Sequence, residues 1–278
     1  MLCKTEKGLE HEKHVAENAN KLGVEAEILD ADGVRERDPQ IEIDVAGAVF
    51  FAQDCHLDPA GFLSNLRDAV VRDGGDVRWS AEVSGFDVSG GTVRAATLES
   101  GERIEGDEFV LCGGSWTPGV ARQLGLRLPM QAGKGYSVTH PNPPAQPSIC
   151  SLLNEARVAV TPIGDKLRVG GTMEIVGLDQ SVNRRRLSGI LKSLKNYYPQ
   201  LSESDFDGLD VWRGLRPCSP DGIPYLGRTK RKDNVVVATG HSMLGLSLAP
   251  VTGELVAEIV SGGEPNLDME LLDPDRYR

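Results

Sequence analysis

No apolar run in this 278-residue chain reaches the ~18–20 residues needed to cross a bilayer. The opening stretch, MLCKTEKGLEHEKH, is polar and charged and does not read as a secretory signal. Positive charge is scarce: 30 Lys and Arg stand against 41 Asp and Glu, a formal net charge of −11. A nucleic-acid partner needs a basic face, so none is expected. The single dense basic run, Arg184-Arg185-Arg186, reads as the solvated start of a helix over 181–197. The five cysteines, Cys3, Cys55, Cys112, Cys150 and Cys218, are odd in number and form no CxxC. That pattern points to a reducing, cytoplasmic setting without a disulfide framework. HEKH at 11–14 is one residue short of the HExxH zinc signature, and no metal site is expected. Repeats and low-complexity linkers are absent too.

What is present is enough for a core: 40% hydrophobic and 26% charged residues. Residues 6–22 read as a helix ended by Gly23, 24–29 as extended, 30–39 as loop and short helix, and 45–54 as strand. Asp58-Pro59 is an N-cap followed by proline at the first helical position. Phe62, Leu63, Leu66, Ala69 and Val70 then keep helical spacing up to Gly74-Gly75. DVRWSAEV at 76–83 reads as a strand, two shorter strands follow around Gly90-Gly91 and Gly101, and DEFVLCGG at 107–114 is an apolar strand. The segment from 130 to about 225, with strands in KGYSVT and KLRVGGT, looks mostly antiparallel. NVVVATG at 234–240 is a buried strand and 247–261 an apolar helix. The expected fold is α/β, α+β overall, with one domain split in sequence around a second.

Three pieces carry chemistry. VLCGGSWTPG, 110–119, runs a strand into Gly113-Gly114 and a helix start; it is a tight turn, or a place where backbone approaches a ligand. NVVVATGHSMLGLSLAPVTGELVAEIV, 234–260, repeats that design, with a helix N-terminus facing whatever lies beyond the strand. His241 within it is a ring neighbour or a satisfied loop histidine. WRGLRPCSPDGIPYLGR, 212–228, places Arg213 and Arg216 before a loop stiffened by Pro217, Pro220, Gly222, Pro224 and Gly227. A rigidly held guanidinium fork suits a carboxylate; a surface ion pair is the other reading, for Arg213 especially.

In this order and spacing the pieces resemble the glycine oxidase and D-amino-acid oxidase/dehydrogenase family of FAD-dependent oxidoreductases. GLRPCSPDGIPYLGR is similar to its GLRPxxxDGxPxxG stretch, ATGHSMLGLSLAPVTGELVAEIVSG to its C-terminal flavin segment, VLCGGSW to its (A/S)xGxW turn, LPMQAGKGYSVT to its LPxxPxxGY strand, and LDPDRYR to the bacterial D-amino-acid dehydrogenase ending. The resemblance implies FAD as cofactor. It also implies an FAD-binding doubly wound domain from 45–128 and 226–278, and a mostly antiparallel substrate domain from 1–44 and 129–225. Arg216 would clamp the carboxylate of a small amino-acid substrate, with Tyr136 near it. Val83 would meet the adenine through its backbone. Gly113, Gly114 and Trp116 would follow the middle of the cofactor. Gly240, His241, Met243, Gly245 and Leu246 would edge the isoalloxazine ring, the helix N-terminus after them suiting its N1/C2=O edge. His56, in CHLDP, is a further candidate. Hydride transfer from Cα to flavin N5 would give the imino acid, with quinone or oxygen as electron acceptor and a peripheral place at the inner face of a membrane open to it.

One departure stands out. The family begins with a strand, GxGxxG and a helix that cradle pyrophosphate, and no GxGxxG occurs in this sequence. The chain therefore reads as a C-terminal portion that lacks the first βαβ unit, supplied by a missing N-terminal segment or a partner chain. Without a central strand, VLCGG and NVVVATG are expected to expose apolar faces. The competing readings are a glycine-, sarcosine- or proline-type amine oxidase, and an inactive fragment that docks on a flavoprotein.

Overall fold

The computed structural model describes residues 1–277; Arg278, the last residue of LDPDRYR, lies outside the described residues. In chain order, β1 (Leu2–Cys3) leads into α1 (Glu6–Lys21), whose N-cap Thr5 accepts from the Gly8 N–H and whose Leu9 and Ala16 are buried. Next come β2 (Ala26–Asp30), α2 (Ala31–Arg37) and β3 (Gly47–Phe51). α3 (Pro59–Arg72) starts as the sequence predicts, with Asp58 accepting from the Ala60 N–H. β4 (Val83–Ser89), β5 (Thr92–Leu98) and β6 (Arg103–Glu105) form a meander. β7 (Phe109–Leu111), α4 (Thr117–Arg122), β8 (Gln131–His140), β9 (Ser151–Leu153), β10 (Val158–Ile163) and β11 (Lys166–Ile175) follow. The chain closes with α5 (Arg184–Leu194), β12 (Val211–Cys218), β13 (Tyr225–Arg228), β14 (Val235–Thr239) and α6 (Gly245–Val260).

These elements fall into two compact units: Met1–Gly75, Gly135–Met173 and Gln180–Gly214 form the first, and Asp76–Lys134, Glu174–Asp179 and Leu215–Arg278 the second. The first is built on an eight-stranded sheet of order β12-β8-β11-β10-β9-β1-β3-β2. Strand alternation places Tyr136, Val138, Val158, Val160, Leu167 and Val169 in one core, onto which α5 lays Leu187, Ile190, Leu191 and Leu194. Each such side chain contributes about 1.5–3 kcal/mol on burial. α3 behaves differently. It has an apolar face, yet none of its residues is buried.

The second unit carries the sheet β13-β14-β7, in which β14 and β7 run parallel. β14 is buried throughout because it lies between two partners and under α6. The β4-β5-β6 meander is pinned to it by Asn234: its side-chain oxygen accepts from the Val93 N–H at 2.9 Å and its amide donates to the Val93 carbonyl at 2.8 Å.

Three expectations change. Residues 76–82 form no strand; the extended chain begins at Val83, where β5 supplies a hairpin partner, and Arg78 instead pairs with Asp76 and Glu102 at 2.7 Å each. The loop expected to begin at Pro217 begins later: β12 continues through Pro217 to Cys218, and β12 is an edge strand, where a missing N–H is tolerated. Of the two segments expected to expose apolar faces, only one does so: Val110 of β7 is 38% exposed, whereas β14 is covered.

Candidate functional site

The parallel pairing of β7 with β14 delivers two turns to the same end of the second unit's sheet, as parallel strands must. The turn after β7 contains Gly113 and Gly114, and Gly114 adopts φ +53°. The turn after β14 contains Gly240 at φ +84°; a Cβ there would also lie 3.1 Å from the Tyr225 ring, so glycine is required twice over. Threonines fasten the turns together: the Thr239 hydroxyl donates to the Gly114 carbonyl at 3.3 Å and meets the Thr117 hydroxyl at 3.5 Å.

The end of β12 joins the same cluster. The Ser115 hydroxyl donates to the Leu215 carbonyl at 3.3 Å, the Ser242 N–H donates to the Pro217 carbonyl at 2.9 Å, and Cys218 forms an antiparallel bridge with His241. Arg216 is thus flanked by two backbone carbonyls, each held by a turn. Its side chain is half-buried, and burial pushes its guanidinium below the usual arginine range. Arg213 is exposed. Beyond Arg216 the proline- and glycine-rich loop is clasped by Arg276, whose Nε and Nη2 donate to the two Asp221 carboxylate oxygens at 2.9 and 3.1 Å. Arg276 also donates to the Ile223 and Pro224 carbonyls at 2.6 and 3.2 Å. This fork holds the Asp221 carboxyl well below the usual carboxylate range.

His241 Nε2 lies 3.0 Å from the Thr252 hydroxyl, one side of α6 later, and burial pushes the imidazole pKa down, toward the neutral form. Met243 and Leu246 follow it into the first turn of α6 and are exposed, at 71% and 41%. No side chain caps that helix, so its first N–H groups are left for a ligand or solvent. On the other side of the β7 turn, Val83, Gly113, Trp116 and Thr117 line a largely apolar cavity of about 780 Å³, the size class of sites that take a flat organic group.

The expected site residues therefore fall into two linked places in the second unit: Val83, Gly113 and Trp116 at the cavity, and Arg216, Gly240, His241, Met243, Gly245 and Leu246 around the second turn, with Gly114 in the tie between them. Tyr136 belongs to the first unit and is 2% exposed. Its hydroxyl donates to the Ser181 carbonyl at 3.4 Å and accepts from the Asn183 N–H at 3.1 Å, an arrangement that fixes the ring beside the start of α5. His56, also in the first unit, is exposed and lines a separate cavity. The sequence reading missed Ser115, Thr117, Thr239, Thr252, Asp221 and Arg276. All six sit in the stretches quoted above, but none of those stretches says which of its polar side chains will meet another segment. Among the described residues no group of His, Cys, Asp and Glu could hold a metal ion, and no helix is long and apolar enough to cross a membrane.

Comparison with known proteins bears on the family and the fold. Residues 1–259 match the family model described as DAO, FAD dependent oxidoreductase. A D-amino acid dehydrogenase from Xanthobacter autotrophicus is 33% identical over 281 residues, covering 99% of this chain and 66% of its own length. The chain thus spans just under two thirds of that relative. Among solved structures, glycine oxidase from Geobacillus kaustophilus superposes with a TM-score of 0.86 at 23% identity, over 100% of this chain and 74% of that one. Iminodiacetate oxidase from Chelativorans sp. BNC1 gives 0.84 at 21% identity, over 98% and 74%. The mixed α/β fold is that of these flavoenzymes, and the chain belongs to the DAO family of FAD-dependent oxidoreductases.

Proposed function

We propose that this chain forms the substrate-binding and part of the flavin-binding portion of an FAD-dependent amino-acid dehydrogenase or oxidase, with a D-amino acid as substrate. The observation that carries the reading is Arg216, half-buried at the end of β12 with its neighbouring carbonyls held by Ser115 and Ser242. A guanidinium fixed in this way is suited to a bidentate grip on an α-carboxylate, which orients the Cα–H bond and leaves the amine untouched.

The donor set fits a flavin dinucleotide on two sides. Val83 would meet the adenine at the apolar cavity, and Gly113, Gly114 and Trp116 would follow the middle of the cofactor. Gly240, His241, Met243, Gly245 and Leu246 would hold the ring, with the uncapped start of α6 facing its most electron-rich edge. When bound, FAD supplies a two-electron acceptor for the Cα hydride; loss of the amine proton leaves the imino acid, which water hydrolyses. His241 is kept neutral by burial and so adds no competing charge beside the carboxylate. Tyr136 serves as a brace at the start of α5. The pyrophosphate cradle would come from a further polypeptide segment carrying GxGxxG, in keeping with β7 standing at the edge of its sheet. The electron acceptor is a quinone or oxygen.

The test compares Arg216→Lys with Arg213→Lys in the flavin-loaded enzyme. Lysine keeps the charge and loses the fork, so Arg216→Lys is expected to weaken substrate binding by about 1.5–3 kcal/mol, roughly 10- to 150-fold. Arg213→Lys is expected to leave binding within a factor of about two. Equal losses at both positions would sink the assignment.

A further inference from the structure

His241 is fixed from two sides. Its backbone forms an antiparallel bridge with Cys218, the last residue of β12, and its carbonyl accepts from the Leu244 N–H at 3.0 Å. Its ring is held by α6, with Nε2 3.0 Å from the Thr252 hydroxyl. The two ring nitrogens diverge, so anchoring Nε2 to α6 turns Nδ1 away from that helix. Among the described residues Nδ1 has no hydrogen-bond partner, although the ring is half-buried. The fold uses one nitrogen and leaves the other.

Thr252 also decides what the second nitrogen can do. Neutral imidazole carries one proton, and its tautomer follows from its partners. Neutral histidine side chains favour the Nε2–H form, and the Thr252 oxygen accepts from it. Nδ1 then presents a lone pair. No carboxylate competes for that lone pair or holds a proton on it. On β12 the titratable groups beside the bridge are Cys218 itself and Arg216, two residues earlier on the same side of the strand. Asp221, in the loop beyond, is taken by Arg276. Glu254 and Glu258 of α6 fall on other sides of the helix than Thr252. Burial is the one cause that moves the ring's pKa, and it moves it down.

We propose that His241 is the proton acceptor for the ammonium group of the substrate, and that Thr252 is the positioning residue that keeps Nδ1 bare for it. The inference rests on the flavoenzyme reading and adds a base to it. An amino acid arrives as an ammonium ion, and a hydride cannot leave Cα until the nitrogen has a lone pair with which to form the C=N bond. One N–H bond breaks, its electron pair stays on nitrogen, and the proton passes to Nδ1. That pair closes the C=N bond as the hydride leaves Cα for the flavin. Water hydrolyses the resulting iminium ion, and the imidazolium returns its proton to solvent. Arg216 lies about 7 Å along β12 from the residue that His241 bridges, so the carboxylate grip and the base can serve one Cα.

Two measurements test the proposal. Heteronuclear NMR of the histidine rings in residues 1–278 reads the tautomer without any flavin, and His241→Gln assigns the signal. A proton on Nε2 and a bare Nδ1 are expected. Thr252→Val is expected to mix the two tautomers, and Thr252→Ser to restore one. A proton fixed on Nδ1 would overturn the proposal. The second measurement follows oxidation of D-alanine by the flavin-loaded enzyme from acid to alkaline pH. His241→Gln is expected to lower kcat about 100-fold near neutrality. Most of that loss is expected to vanish above the pKa of the substrate's own amine, where no base is needed. Thr252→Val is expected to lower kcat by about fivefold to tenfold with KM little changed, and Thr252→Ser by less. A His241→Gln loss that persists at alkaline pH would mean a structural role and overturn the proposal while leaving the Arg216 reading intact. A wild-type enzyme that oxidises no amino acid would overturn the flavoenzyme reading and the proposal together.

Discussion

Arg276 grips Asp221 with two nitrogens while its guanidinium stacks 4.0 Å from the Tyr225 ring centroid. The pair joins residues 55 apart in sequence and closes the loop that follows Arg216. A side chain that fixes carbonyls, a carboxylate and a ring at once acts as a geometric fastener, which is why the prolines alone do not explain the loop's stiffness.

Arg276→Lys is accordingly expected to cost about 1.5–3 kcal/mol of stability, since lysine cannot reproduce the fork. Arg78→Lys, in a fully exposed pair, is expected to cost much less. Urea unfolding of both variants checks the contrast; a larger loss at Arg78 would refute it.

Gly240→Ala is expected to destabilise by roughly 1–2 kcal/mol, from the left-handed backbone alone, before contact with the Tyr225 ring is added. At Gly245 a Cβ would meet only the His241 Cβ at 3.4 Å, with no backbone strain. Gly245→Ala should therefore keep stability, and in the flavin-loaded enzyme any loss there should appear as lower flavin content. Thermal unfolding and flavin absorbance separate the two.

Acid is expected to weaken the first unit through Glu155. Burial alone would raise its pKa, but the Lys4 N–H, the Tyr197 hydroxyl and the Thr5 N–H donate to it at 3.0, 2.7 and 3.0 Å and bring it down to about 2. The folded state thus holds the carboxylate more tightly than the unfolded chain. Its contribution is complete above the ordinary glutamate pKa of about 4.3 and fades as pH falls toward about 2. Glu155→Gln should flatten stability against pH in that window. An unchanged slope in acid titration would count against it.

His241 is expected to titrate below the usual histidine pKa of about 6.5, because burial opposes its charged form. Neutral imidazole is the folded-state species, so its stabilising contribution is present above that pKa and is lost as pH falls below it. NMR titration of the ring protons measures this directly; a midpoint above about 6.5 would contradict it.

Local rules carried much of the fold. Asp58-Pro59 fixed the start of α3, the Gly90-Gly91 pair set the β4–β5 turn, and the apolar run of β14 announced a buried strand. Strand 76–82 failed because a strand exists only with a neighbour, and nothing in eight residues says which neighbour is present. The site divides in the same way. Arg216, Gly240 and Gly113 stand in motifs whose order is informative. Thr239 bonding to Gly114, or Asp221 to Arg276, depends on a pairing that brings distant segments together, and polar residues of that kind look alike in sequence wherever they end up.

The Asn234–Val93 contact spans 141 residues, and the Thr239–Gly114 tie spans 125. Most of the chain between them builds the other unit. On a ribosome, β7 emerges well before its partner strand has been translated, and must wait while residues 135–214 collapse elsewhere. Closing so large a loop is slow, and an unpaired apolar strand is open to wrong partners in the meantime. Chaperone dependence should therefore track the folding speed of the inserted segment, and a synonymous change that alters its pace of synthesis should alter the yield of the second unit without changing a single residue in it.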